Sequence, residues 1–240
     1  MLDFKITLRC ADAIEFLQSL KKNSVDMVLT DPPYWTLDKH RNVGTTTRLG
    51  GNANKAKQTG WFKTINQEYM MQMLDEIYRV LKPNCHAYVM SDGQTLRHIL
   101  NHADNSKTPF KNYKPIVWDK VNQGMGYHYR CRHEFFVMLD KGKNRRLNSL
   151  SVPDVWAVPM IKGGYSTEKP VSLMEIPILN STEPLELVVD PFMGGGSVAM
   201  ACAKNCRNFL GCDVSMEAVE LTRNRLVADY RKHVVGSLGV

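Results

Sequence analysis

Asp31-Pro32-Pro33-Tyr34 places an acid, two prolyl carbonyls and an aromatic ring within four residues. The run before it, Val25-Asp26-Met27-Val28-Leu29-Thr30, is mostly apolar and reads as a buried strand. Proline lacks an N–H and fixes φ, so the strand stops there and delivers a carboxylate to the rim of a sheet. The turn is stiff, and its backbone carbonyls are expected to be left unpaired. A carboxylate, a free carbonyl and an aromatic face held together suit an amino group on a flat ring. A surface turn with a capping Asp accounts for the same residues without chemistry.

A second apolar strand ends in an acid at Leu187-Val188-Val189-Asp190. It runs into Pro191-Phe192-Met193-Gly194-Gly195-Gly196-Ser197 and then a small-residue helix, Val198 to Ala203. Strand, glycine loop and helix open a nucleotide-type site. Glycines let a ligand approach the backbone, and a helix N-terminus offers N–H donors. The next strand, Asn208 to Cys212, ends at Asp213, where an acid can accept from both ribose hydroxyls. Gly194-x-Gly196-x-x-Ala199 also fits the relaxed dinucleotide pattern, so a nicotinamide oxidoreductase stays open, but it leaves Asp31 to Tyr34 unused.

Taken together, the two motifs resemble those of amino-group DNA methyltransferases that use S-adenosylmethionine. Asp31-Pro32-Pro33-Tyr34 is similar to that family's catalytic tetrapeptide, and Asp190-Pro191-Phe192-x-Gly194-x-Gly196 to its methyl-donor loop. Catalytic motif first and donor loop last is the circularly permuted order of the β-class enzymes. Asp12 to Leu17, Ile116 to Lys120, Met125-Gly126, Arg132 to Phe135, Pro153 to Trp156 and Glu168 to Val171 extend the resemblance over almost the whole chain. It implies transfer of a methyl group to an adenine N6 amine, with cytosine N4 as the nearest alternative and a catalytically dead DNA-binding relative as another. Asp31 and the Pro32 carbonyl would each accept an amine hydrogen, with Pro33 stiffening the turn and Tyr34 and Trp35 as stacking faces. Asp12, Ala13, Asp190, Phe192, Gly194, Gly196, Ser197, Asp213 and Lys169 would hold the donor. The run Tyr165-Ser166-Thr167-Glu168 departs from the family's usual His-Pro-Thr-Gln before that lysine.

The net charge is +7, and it is clustered. Trp35 to Gln67 holds six basic residues against one acid, and Lys107 to Arg146 holds ten against three. Positive loops beside a catalytic motif are the footprint of a polyanion site. Lys39, Arg41, Arg48, Lys55 and Lys57 are the expected phosphate contacts, while His128, Arg130, Arg132 and His133 are expected at the vacated base position or on phosphate. Double-stranded DNA is therefore the expected partner. A homodimer and a cognate restriction endonuclease are left open. The six cysteines show no CxxC pair and read as reduced thiols of a cytoplasmic protein. The seven histidines show no zinc-ligand spacing, so no metal is expected, and no apolar run is long enough to span a bilayer.

The elements that must position these residues read as one α/β domain over 1–240, Rossmann-like and doubly wound, with a mostly parallel sheet and an antiparallel edge hairpin. Asp12 caps a first helix, with Glu15 as its capping-box partner. Spacing predicts an amphipathic helix over Glu68 to Leu81, stopped by Lys82-Pro83-Asn84, then a strand over His86 to Met90. Strands are expected at Lys114 to Trp118 and Glu134 to Leu139. Loops facing DNA are expected at about 35–67 and 121–133, and a short, irregular target-recognition segment at about 142–167. A helix from Pro170 toward Asn180 should kink or end at Pro177. Asp31 and Asp190 are expected to end neighbouring strands on one rim.

Overall fold

Val25–Thr30 (β2) is buried along its whole length, as a strand covered on both faces must be. In the computed structural model, which describes residues 2–36, 64–106, 110–124, 129–142, 145–161 and 168–235, β2 lies at the centre of a nine-stranded sheet. On one side it pairs in parallel with Leu187–Asp190 (β7), with Met27 opposite Val188 and Val28 opposite Val189. Past β7 follow Asn208–Asp213 (β8), Ile6–Cys10 (β1) and the short Val234–Val235 (β9), all parallel. On the other side β2 pairs in parallel with Leu81–Ser91 (β3), and then come His133–Asp140 (β5), Asn112–Asp119 (β4) and Val155–Ala157 (β6). β5 runs antiparallel to both its neighbours, and among the described residues the other strands share one direction.

Helices cover both faces. Ala13–Gln18 (α1), Gln67–Val80 (α2) and Gly93–Asn105 (α3) pack Ile14, Phe16, Leu17, Met70, Met73, Leu74, Ile77 and Ile99 into one core with Val28 and Val89. Val171–Ser181 (α4), Ser197–Lys204 (α5) and Met216–Tyr230 (α6) pack Leu173, Met174, Ile178, Val198, Ala199, Val219 and Leu226 into the other with Met27, Leu29 and Val188. Alternate residues of β2 thus feed opposite cores, which is the period-two geometry of a strand. The expected doubly wound, mostly parallel sheet is what forms.

Three local expectations are corrected. The antiparallel pair is present, but it is not the sheet edge: β6 adds a parallel strand outside β4. That strand lies in the segment read as irregular. It is three residues long, and one buried ring anchors it: Trp156 packs against Phe136 with centroids 5.1 Å apart. Lys82-Pro83-Asn84 does not form a separate stop, since α2 ends at Val80 and these residues belong to β3, with Asn84 at φ 65°. The α4 helix continues through Pro177 to Ser181. A proline inside a helix costs about 3 kcal/mol; burial of Leu173, Met174, Pro177 and Ile178 on one core offsets it. Among the described residues, no helix is long and apolar enough to cross a membrane.

Candidate active site

The pairing of β2 with β7 carries both acid tips to one rim. Thr30 donates from Oγ1 to Asp190 Oδ1 at 2.8 Å, so the residue before Asp31 is bonded directly to the other tip. The turn after Asp31 closes on itself, because Tyr34 N–H donates to the Pro32 carbonyl at 2.9 Å. Ile65 N–H donates to the Pro33 carbonyl at 2.8 Å, and Ile65 also bridges Tyr34. The expectation of unpaired prolyl carbonyls is therefore corrected: each already accepts one N–H. A carbonyl oxygen has two lone pairs, so Pro32 keeps the capacity for one more hydrogen, but Pro32 is buried and, unlike Asp31 and Pro33, does not line the cavity described below. Tyr34 is also not where a stacking face should be. Its ring is 6% exposed, belongs to the α1–α3 core and does not line the cavity described below. Trp35 likewise stands outside that cavity, edge-on to His98 at 5.4 Å.

The glycine loop after β7 is held by hydrogen bonds from several sides. Asp190 Oδ1 also accepts Phe192 N–H at 3.0 Å, and Gly194 N–H donates to Asp213 Oδ2 at 3.0 Å. Gly194 and Gly196 have φ of 47° and 79°, the left-handed region where glycine is favoured. Helix α6 grips the loop carbonyls: Thr222 Oγ1 donates to Gly194 O at 2.8 Å, and Arg225 donates to Gly195 O while pairing with Glu168 at 2.7 Å. Ser197, the first residue of α5, donates to the Lys169 carbonyl at 2.7 Å. The Lys169 ammonium reaches the other way and forms an ion pair with Asp31.

Asp12 completes the rim. Its Oδ1 accepts from Ile14 N–H at 2.9 Å and Glu15 N–H at 3.2 Å, the expected helix cap, while its Oδ2 accepts the Tyr69 hydroxyl at 2.7 Å. One cavity of about 440 Å³ runs between these groups. Asp12, Ala13, Asp31, Pro33, Lys169, Asp190, Phe192, Gly194, Ser197 and Asp213 line it, with Tyr69, Asn66, Glu168 and Val214. That volume accommodates a nucleoside-sized guest. Gly196 shapes the loop without lining the cavity.

The cavity is rich in carboxylates. Burial pushes Asp190 up to about 7, with Asp31 and Asp213 adding repulsion against the hydrogen bonds from Phe192 and Thr30. Burial also raises Asp31, opposed first by Lys169, and raises Asp213, opposed by the N–H groups of Ser215 and Gly194. Among the described lining residues, Lys169 is the one cation against Asp12, Asp31, Glu168, Asp190 and Asp213. Such a site favours a guest carrying positive charge. No group of three or more His, Cys, Asp or Glu among the described residues is placed to hold a metal ion.

The sequence-predicted donor residues thus converge, but Lys169 is on Asp31 in this structure, and both carboxylate oxygens of Asp213 already take backbone N–H groups. Tyr69, Glu168, Thr222 and Arg225 were not anticipated. Of the predicted DNA contacts, Lys39, Arg41, Arg48, Lys55, Lys57 and His128 lie outside the described residues. Arg130 is exposed and donates to Gly124 O at 2.9 Å. Arg132 makes a two-pronged bond to Asp119, both at 2.6 Å, so its charge is locally compensated. His133 is exposed and edge-on to Phe135 at 5.0 Å.

A doubly wound sheet whose rim joins an acid-proline turn to a glycine loop defines a nucleotide-type transfer site. Comparison with known proteins places the chain more closely. The family model for N6 and N4 methyltransferases, described as DNA methylase, matches residues 25–224, and the chain belongs to this family. The type II methyltransferase M.HpaI of Haemophilus parainfluenzae is 28% identical over 250 residues, covering 93% of this chain and 74% of the relative. The crystal structure of the M1.HpyAVI–SAM complex superposes with a TM-score of 0.64 at 24% identity, covering 92% of this chain and all of the other. The PvuII DNA methyltransferase, cytosine-N4-specific, gives 0.71 at 15% identity, covering 96% and 92%. At these identities the two structures bear on the fold alone.

Proposed function

We propose that the chain transfers the methyl group of S-adenosylmethionine to the N6 amine of an adenine in DNA. The observation that carries this reading is the pair of neighbouring strand tips, Asp31 and Asp190, tied together through the Thr30–Asp190 hydrogen bond and opening on one cavity. The donor supplies a methyl group on a positively charged sulfur. Asp12 and Ala13 would take its adenine end, Asp213 its ribose, and Asp190, Phe192, Gly194 and Ser197 its amino-acid end, where Lys169 would meet the carboxylate by turning from Asp31. An exocyclic amine is a poor nucleophile because its lone pair is delocalised into the ring. Asp31 and the second lone pair of the Pro32 carbonyl would each accept one amine hydrogen, which frees that lone pair. The carboxylate acts most strongly as positive charge develops on nitrogen. The base must leave the duplex to reach the rim, at a cost of a few kcal/mol.

Aspartate at the head of the tetrapeptide favours adenine, on the resemblance to the family. The matched family covers N4 as well as N6 methyltransferases, so cytosine N4 is the second reading. Incubation with labelled S-adenosylmethionine and unmethylated DNA, followed by digestion to nucleosides, separates them. N6-methyladenine is expected. N4-methylcytosine would move the activity to the other amine, and no labelled nucleoside would end the reading.

The carboxylates also predict a pH signature. A cationic guest binds the ionised form of Asp190, so donor affinity should rise with pH through about 7 and level off above it. The rise is at most about tenfold per pH unit for one group. The thioether product has lost the sulfur charge and should show a shallower rise. In the free protein the sign is reversed: an acid raised from 3.8 to about 7 stabilises the fold below 3.8, and that contribution is lost as pH rises through about 7. Calorimetric titration of donor and product at pH 6, 7 and 8 checks this; parallel slopes for the two would contradict it.

A further inference from the structure

Lys120 is 3% exposed, and its ammonium forms an ion pair with Glu134 beside the face of Trp118, 5.2 Å from the ring centroid. A buried ion pair returns little net stability, because desolvating two charges offsets their attraction. Its place in the sheet gives it another use. Thr30 of β2 stands opposite Val89 of β3, and Ser91 of β3 stands opposite Phe135 of β5. Glu134 therefore reaches the same rim as Asp31, one strand removed, and Lys120 follows the end of β4 next to it, where Trp118 pairs with Glu134. The charges that act on Asp31 come from three sides. Lys169 precedes α4, Glu134 and Lys120 stand on the hairpin side, and Asp190 tips β7. Just past β3, Asp92, the N-cap of α3, is engaged elsewhere, accepting from Thr36 at 2.6 Å and from Thr95 N–H at 2.7 Å. The order Lys169, Asp31, Glu134, Lys120 is a row of alternating sign.

We propose that Lys120 and Glu134 are positioning residues for methyl transfer: their ion pair holds and neutralises a second carboxylate at the acceptor end, so that Asp31 meets the amine as an ion. Glu134 disfavours the charged form of Asp31 and Lys120 favours it. The two act in opposite directions, Glu134 the more strongly, so each offsets part of the other. The inference rests on the methyltransferase reading above.

The test is the acid limb of kcat/KM for DNA, which reports ionisation in the free enzyme. Lys120→Met removes the ammonium from Glu134 and should move the limb to higher pH, by on the order of half a unit or more. Glu134→Gln leaves Lys120 and should move it to lower pH. The double variant should return it close to wild type, and Lys120→Arg should hold it there. Because a lone buried charge can prevent folding, the carboxyl ¹³C titration of Asp31 in wild type and the double variant, assigned with Asp31→Asn, gives a readout independent of turnover: the two curves should nearly coincide. Limbs that stay fixed, or move the same way in both single variants, reduce the pair to a hairpin staple and overturn the inference. So does a large separation of the two carboxyl curves. Absence of transfer in the wild type would instead defeat the reading it rests on.

Discussion

Asp31→Asn is expected to lower the rate of methyl transfer by about 10²–10⁴-fold while leaving donor affinity within a few-fold of wild type. The exchange keeps shape but removes the charge that answers the positive charge building on the acceptor nitrogen. It also turns one acceptor oxygen into a donor NH₂, which faces the amine hydrogens with the wrong sign. The hydrogen bonds that shape the donor end of the cavity are untouched, since Asp190 is fixed by Thr30 and Phe192, Asp213 by Gly194 and Ser215, and Asp12 by its helix and Tyr69. Stability should not fall with activity. Burial is the largest influence on the Asp31 carboxyl and raises it, so the ionised side chain costs the fold stability near neutral pH, even with Lys169 beside it. A thermal midpoint equal to or above wild type is therefore expected, the signature of a group kept for function at the expense of stability. Single-turnover transfer, donor calorimetry and thermal melts give the three readouts. A variant that transfers within tenfold of wild type removes Asp31 from the centre of the mechanism.

Much of this site was legible because its parts are local. An apolar run broken by Asp-Pro is a strand end in any fold, and both tips carry that mark, as do the glycines after the second. Their adjacency is not local, and chemistry alone required it: a donor and an acceptor on separate strands must share a rim to react. What stayed hidden depends on packing between elements. The helical spacing of Met70, Leu74 and Ile77 marks the buried stripe of α2, and Tyr69 sits one place off that stripe, so nothing in its neighbours shows that its hydroxyl meets Asp12, 57 residues earlier in the chain. Thr222 and Arg225 read as ordinary residues of a last helix, yet they hold two successive carbonyls of the glycine loop. Tyr34 misled for the opposite reason. Its place directly after the prolines suggests an open face, whereas the turn made by Tyr34 N–H to the Pro32 carbonyl accompanies a ring buried in the core. The β6 strand was missed because three residues with one buried ring show no readable period.

The grip of α6 on the loop leaves Gly196 little room to change. A Cβ built there would stand 2.5 Å from Thr222 Cγ2 and 2.7 Å from Thr222 Oγ1, on backbone at φ 79°. Thr222 is fully buried and its hydroxyl already holds Gly194 O, so it cannot turn aside without releasing the loop. Gly196→Ala thus combines left-handed strain of roughly 1–2 kcal/mol with overpacking of about 1–3 kcal/mol. The protein escapes either by unfolding more readily or by moving the loop, and both deprive the donor of its seat. Donor affinity is expected to fall at least thirtyfold, with a lowered thermal midpoint. Gly194 provides the internal comparison. It too is left-handed, at φ 47°, but a Cβ there meets nothing within 4 Å, so Gly194→Ala should cost stability only through the strain, about 1–2 kcal/mol. Measured side by side by denaturant unfolding, the two variants must differ, with Gly196→Ala the less stable. Equal losses would mean that Thr222 does not clamp the loop, and that the glycines are there for backbone freedom alone.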